Sequence, residues 1–341
     1  MSLGLWLSAC HPDEKDDSAA PPDDSGTTPT DAPPFVETLD PDVVHVLASS
    51  SPALGDPGHP LAELAVTLDT RWSLDFEDAD GSGGAVRIAD GDTVYVRSAL
   101  PPDFKSELER VDATGTLLWS QDAFFMGDFS FAHGLVQTPA GDYLIADTIL
   151  ARILAVSEEG EVQWELSFVE DGTTRLPNGI DLATDGDGVT RIVVSSLYRT
   201  GPDAADHVDG FRLGGRTDVP TREWTFAGGQ GTSERLWPHG PRFLDDGSVS
   251  VNYAARGQIA RLVDGEVDWV VPRVPGKLAF PRDMVVLPDE TWLVADAAAE
   301  VLRVYDPLGR FEIVDAAFVP GVFGLVEVPC GAGGTLPCLG G

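Results

Sequence analysis

Between residues 80 and 328 the chain alternates short apolar runs with clusters of Gly, Asp and Pro. Tyr143-Leu144-Ile145-Ala146-Asp147, Arg152-Ile153-Leu154-Ala155-Val156 and Thr291-Trp292-Leu293-Val294-Ala295-Asp296 are such runs, set off by turns such as PAGD, DGDG and DDGS. Short apolar runs with turn signals about every 8–12 residues predict antiparallel meanders.

The meanders repeat. Trp72, Trp119, Trp164, Trp224, Trp269 and Phe311 each sit in a short strand after a Gly-containing or polar turn, at intervals of 47, 45, 60, 45 and 42 residues. A second marker falls between successive aromatics, at the head of a strand: Phe131-Ala132-His133-Gly134, Leu176-Pro177-Asn178-Gly179, Trp237-Pro238-His239-Gly240 and Phe280-Pro281-Arg282-Asp283, with weaker copies at Gly83-Gly84 and Phe323-Gly324. Four strands per unit is a propeller blade, and six aromatic markers mean six units.

The unit headed by Phe323 lacks its outer strands before the chain ends, and the N-terminal segments Val43–Leu47, Glu63–Val66 and Trp72–Phe76 supply them. Sharing one blade between the two termini closes the ring and leaves no unpaired sheet edge. The expected fold is therefore all-β: one six-bladed β-propeller with four-stranded antiparallel blades over residues 42–329. An N-terminal sandwich with a smaller propeller would need about 80–100 residues for its first domain, more than residues 43–80 provide. The long interval between Trp164 and Trp224 reads as an insertion around residues 198–207, a loop decorating the fourth blade.

The innermost strand of each blade lines the central channel, so the repeat phase brings Gly83, His133, Asn178, His239, Arg282 and Phe323 into one ring. Imidazole attacks electrophiles or transfers protons near neutral pH. Arg and Asn supply fixed donors that grip oxyanions. His133 and His239 are the candidate catalytic residues and Asn178 and Arg282 the candidate ligand-binding residues, suited to a sulfate, phosphate or carboxylate group. A His at a strand head that merely bonds a neighbouring carbonyl is the plain structural alternative. His45, His59 and His207 read as surface or loop residues. No spacing of zinc ligands links the histidines, so no metal is assigned. Asp147 and Asp296 end matching second strands, Asp181 and Asp283 lie in inner strands, and such carboxylates could hold Ca2+. The repeated position of Asp147 and Asp296 favours a turn role instead, the side chain accepting backbone N–H bonds.

Charge narrows the partners. The 341 residues carry 56 Asp+Glu against 22 Lys+Arg, a formal charge of −34. Phosphate backbones and anionic lipid head groups repel such a surface, which excludes nucleic acid and polybasic membrane attachment. A small anionic molecule in the channel remains, as does an extracellular protein on the blade loops, and a monomer is expected. Residues 1–10, MSLGLWLSAC, are apolar and end in Leu7-Ser8-Ala9-Cys10, which resembles the lipobox at which bacterial lipoproteins are cleaved and acylated on the Cys. Residues 11–41, rich in Asp, Pro, Ser and Thr, read as a disordered tether. Cys330 and Cys338 close a Gly-rich loop in residues 330–341, where a disulfide is permitted outside the cytoplasm. Together these features place the protein in the cell envelope, lipid-anchored, or secreted.

The run HGLVQTPAGDYLIADTILARILAVSEEGEVQWEL, echoed at 178–194, 239–269 and 282–311, resembles the repeats of NHL-type propellers and of the bacterial arylsulfotransferase-like group. The second resemblance implies sulfuryl transfer from an aryl sulfate through a channel His, with His133 or His239 as nucleophile, although the HD and HxxHD runs of that group are absent. The first implies a non-catalytic scaffold. Leu176-Pro177-Asn178-Gly179-Ile180 is also similar to gluconolactonase-type propellers, a third choice, whose cation site of Asn, Asp and Glu is matched only at Asn178.

Overall fold

The structure is a computed structural model that describes residues 44–50, 61–65, 70–76, 81–88, 90–98, 105–121, 129–130, 132–228, 235–271, 278–287, 291–296, 300–305, 312–318 and 322–329. Cys10, Cys330, Cys338, the 11–41 tether, His59 and Phe311 lie outside the described residues.

Six antiparallel sheets surround an axis, each a blade whose strands run outward in chain order. Blade 1 is shared between the termini. Val322–Pro329 is its innermost strand, followed by Val44–Ser50, Leu61–Ala65 and Thr70–Leu74. Blades 2 to 6 follow along the chain, headed by inner strands Gly81–Arg87, Ala132–Gln137, Thr173–Thr184, Pro238–Phe243 and Pro281–Val286. Two-residue strands at Phe129–Ser130 and Val169–Glu170 add to blades 2 and 4. The six-bladed propeller and its closure by a shared blade are as the repeat phase predicts.

The burial of each strand explains its sequence. The second and third strands of blade 3, Tyr143–Asp147 and Arg152–Val156, are buried at every position, because blades pack against both of their faces. Uninterrupted apolar runs follow from that placement. Fourth strands lie outside and alternate, as in Val162–Ser167, where Trp164 turns inward. The described core is accordingly divided into six hydrophobic clusters, one at each contact between neighbouring blades. Blades 3 and 4, for example, meet through Leu144, Ile153 and Trp164 on one side and Leu176, Ile192 and Phe211 on the other.

Two expectations are corrected. The 198–207 segment is not a decorating loop: Thr190–Thr200 and Asp206–Arg212 are long paired strands, and only a short turn joins them. His207 therefore lies within a strand and is buried, its ring 3.4 Å from an Asp203 oxygen and 3.9 Å from an Asp209 oxygen. The strand Asp206–Arg212 is buried at every position but its last, so the ring is enclosed whichever face of the sheet it takes.

Candidate functional site

Every inner strand breaks register with its neighbour at the predicted ring. In blades 3, 4, 6 and 1 the residue passed over by the pairing is His133, Asn178, Arg282 and Phe323. In blades 2 and 5 the irregularity falls at Gly83–Gly84 and just after His239. A β-bulge takes one residue out of the ladder and re-aims its side chain, so six bulges at one level make a ring out of residues that regular pairing would not present together.

Glycines let that ring close. A Cβ on Gly179 would lie 2.6 Å from Pro241 Cδ and 2.9 Å from the Gly240 nitrogen. Gly240 has φ +42°, and a Cβ there would lie 2.5 Å from the Arg282 carbonyl oxygen. The Gly that follows His133, Asn178 and His239 in the sequence is thus the residue that allows inner strands of neighbouring blades to touch.

His133, Asn178, His239 and Arg282 line one cavity of about 40 Å3. That is room for about two waters or a group of similar size. All four are between 4% and 8% exposed. Gly83 and Gly324 complete the lining of the ring; the side chain of Phe323 lies outside the described residues. The four site residues proposed from the repeat are therefore brought together.

Their hydrogen bonds fix how each imidazole is protonated. The Thr148 hydroxyl donates to the Pro177 carbonyl at 2.7 Å, so its oxygen accepts from His133 Nδ1 at 3.0 Å. Nε2 of His133 is then the ring nitrogen with the lone pair. The Ser195 hydroxyl donates to Asn178 Oδ1 at 2.8 Å, which leaves Asn178 Nδ2 to donate to His239 Nδ1 at 2.6 Å. Nε2 of His239 then carries the proton. Burial, and next the positive charge of Arg282, hold both imidazoles well below the ordinary histidine range; His133 adds to the effect on His239. Both rings are neutral at pH 7, one presenting a lone pair and the other an N–H. Phe280 stands beside this pair, its ring 5.7 Å from that of His239 and 5.5 Å from the Arg282 guanidinium carbon.

A second polar group lies one step along the channel, its Arg242 and Asp283 lining the same cavity, and the sequence reading missed it. Arg242 donates to Asp283 at 3.0 Å through Nε and again through Nη2, to Asp181 at 3.5 Å, and to the Leu325 carbonyl at 2.6 Å. Asp283 also accepts the backbone N–H of Met284 and of Leu325, and Asp181 that of Phe243. Burial alone would lower Arg242, but the Asp283 and Asp181 charges outweigh it and raise it above its ordinary value. Asp181 is raised, mainly by burial, with Arg242 opposing. This knot joins blades 4, 5, 6 and 1. The signal available in the sequence was Asp181 and Asp283 in matching inner strands with Arg242 between them.

The remaining carboxylates act as expected in part. Asp296 accepts the N–H groups of Ala279 and Phe280 at 2.7 and 2.8 Å. Asp147, fully buried, takes the Nε of Arg152 at 2.8 Å. Among the described residues no three of His, Cys, Asp and Glu converge as cation ligands. The channel carboxylates nearest the ring, Asp181 and Asp283, are engaged by Arg242 and backbone N–H groups.

No protein-family model matches the sequence, and no curated protein matches it. Solved structures do. A Bacteroides caccae protein of unknown function aligns over 84% of this chain and 99% of its own, with TM-score 0.58 and 14% identity. A periplasmic gluconolactonase from Pseudomonas aeruginosa aligns over 84% and 99%, with TM-score 0.56 and 12% identity. A catalytically inactive His-to-Ala form of virginiamycin B lyase from Staphylococcus aureus, with quinupristin, aligns over 80% and 85%, with TM-score 0.50 and 14% identity. At such identities what the chain shares with these proteins is its fold, and the chain is by that measure a six-bladed β-propeller.

Proposed function

We propose that the channel head opens an anionic ester or lactone with water, only the reacting group of the substrate entering the small cavity and His133 acting as the base. The observation that carries this reading is the opposite protonation of two neutral imidazoles lining one cavity beside Arg282. Nε2 of His133 takes a proton from water as the oxygen attacks the acyl carbon. His239 Nε2–H donates to the oxyanion that forms, and Arg282 holds the negative charge of the substrate. The C–O bond of the ester then breaks, and the imidazolium of His133 returns its proton to the departing oxygen. No atom beyond water and substrate is needed.

The fold shared with a periplasmic gluconolactonase supports a lactone as the first substrate to try. A neutral imidazole with a lone pair also suits attack on a sulfuryl group, the reading that the arylsulfotransferase-like resemblance implies. One experiment separates them. The full chain is given 6-phospho-D-glucono-δ-lactone and γ- and δ-lactones bearing a carboxylate, with neutral D-glucono-δ-lactone for comparison, and 4-nitrophenyl sulfate with a phenol acceptor, with His133→Asn run alongside. Acid release from a lactone that falls at least about 100-fold in His133→Asn supports the proposal. Sulfate appearing on the phenol would replace it by sulfuryl transfer. No turnover in either set overturns it in favour of a non-catalytic propeller.

A further inference from the structure

Four described residues other than glycine have a left-handed backbone. Ala151, Asp171 and Asp264 sit in turns, where that shape reverses the chain. Trp237, at φ +50°, sits outside any turn, two residues before His239. Such a backbone is unfavourable for a bulky residue and persists only where the surroundings over-determine it.

The surroundings do so here. The N–H of Trp237 donates to Asp206 Oδ2 at 3.1 Å, and its carbonyl accepts the N–H of Ala254 at 3.1 Å. Asp206 opens the third strand of blade 4 and is 2% exposed; its other oxygen accepts the N–H of Tyr198 at 2.9 Å. A buried carboxylate of one blade thus holds the head of the next in a strained shape.

That shape aims a ring. The Trp237 indole meets Phe280 edge-on, with centroids 5.8 Å apart and planes at 71°. Phe280 stands two residues before Arg282, as Trp237 stands two before His239. The Phe280 ring is in turn 5.7 Å from the His239 ring and 5.5 Å from the Arg282 guanidinium carbon. Leu176 holds the equivalent position in blade 4, where it is buried in the core between blades 3 and 4. In blades 5 and 6 the position is aromatic and half-buried, and the two rings pack on each other.

We propose that Trp237 is a positioning residue: through Phe280 it fixes the separation of the His239 imidazole and the Arg282 guanidinium. The chemical use of that separation rests on the hydrolytic reading above, in which those two groups receive the oxyanion and the substrate's charge. Donors stabilise developing charge best when they are already in place, and a misplacement of about 1 Å costs up to about 100-fold. An edge-to-face neighbour restricts how the Phe280 ring can turn, and Phe280 touches both donors. His133 is anchored separately, by Thr148.

The test titrates inorganic phosphate calorimetrically into the full chain and follows the histidine rings by 15N NMR. Trp237→Gly takes the left-handed backbone without strain and removes the indole. It should weaken phosphate binding at least about tenfold and shift the ring signals of His239, while those of His133 stay in place. Trp237→Phe keeps an aromatic edge against Phe280 and should stay within about threefold of the parent. A residue that only supports the fold would lower the melting temperature and move neither the affinity nor the His239 signals of the folded chain. Phe280→Leu should repeat the loss, and it decides the matter if Trp237→Gly fails to fold. If the parent binds no phosphate, the His239 signals decide alone. A parent that opens no lactone but shows these changes ends the hydrolytic reading and leaves the positioning role standing. The proposal is overturned if the folded variants keep the parent's affinity and His239 signals, or if Trp237→Phe loses as much as Trp237→Gly.

Discussion

Two polar layers follow each other down the same channel and solve opposite problems. At the head, His133, Asn178, His239 and Arg282 face a cavity, and the two imidazoles are held neutral. One step below, where Arg242 and Asp283 line the same cavity, Arg242 is bound by Asp181 and Asp283, and backbone N–H groups of Phe243, Met284 and Leu325 take up further oxygen lone pairs. Breaking a buried ion pair by removing one partner is costly because the other charge stays behind. Replacing a neutral imidazole by another neutral group that keeps its hydrogen bond is not. The lower layer thus reads as a clasp that holds four blades at fixed angles, and the upper layer as chemistry resting on that clasp.

The sharpest way to break the comparison is Arg242→Met. It leaves Asp283 and Asp181 without their guanidinium and should lower unfolding stability by about 3–5 kcal/mol in urea titration. A loss below about 1 kcal/mol would mean that the knot holds nothing.

The upper layer should behave the other way. His133→Asn keeps a donor for the Thr148 oxygen and deletes Nε2, so turnover should fall by about 100-fold or more while stability changes by less than about 1 kcal/mol. A large stability loss with proportional loss of activity would move His133 into the scaffold.

A subtler variant probes protonation. Ser195→Ala removes the donor that orients Asn178, so the amide is free to turn its oxygen toward His239 Nδ1 and favour the other tautomer. The expected cost is about tenfold in kcat, the equivalent of one hydrogen bond, with 15N NMR of the histidine rings reporting the tautomer change. Unaltered ring shifts would show that Ser195 does not set the tautomer.

The smallest effect is on the pH dependence of stability. The folded chain resists protonating His133 and His239, whereas the unfolded chain takes up those protons near pH 6.5. Stability is therefore full above about 6.5 and declines as pH falls toward the depressed folded values. Asp181 works in the opposite sense at lower pH, because its raised folded value makes the folded state the better proton acceptor. Thermal melts of the parent and of the His133→Asn, His239→Asn double variant should diverge in steepness below pH 6.5, the double variant being flatter; parallel curves would mean that neither imidazole is held neutral by the fold.

The strands and the ring were legible because both are written in repeats. Trp119, Trp164, Trp224 and Trp269 recur in outer strands, and His133, Asn178, His239 and Arg282 recur at strand heads, so equal spacing along the chain became equal height around an axis. His207 shows where that reasoning fails. It carries no repeat mark, and an interval longer than its neighbours was read as a loop at 198–207 when the strands had lengthened and an eight-residue connection follows Arg212.

By itself the sequence determined which residues would share the channel and how the two termini would close it, since alternation and spacing act over a few residues and a repeat multiplies them sixfold. Tertiary structure alone decided what those residues can do. Asn178 and His239 are 61 residues apart, Arg242 and Asp283 are 41, and Arg216 and Asp142 are 74. The protonation of an imidazole depends on whichever donor or acceptor the fold places 3 Å from it, and no local pattern encodes a partner from another blade.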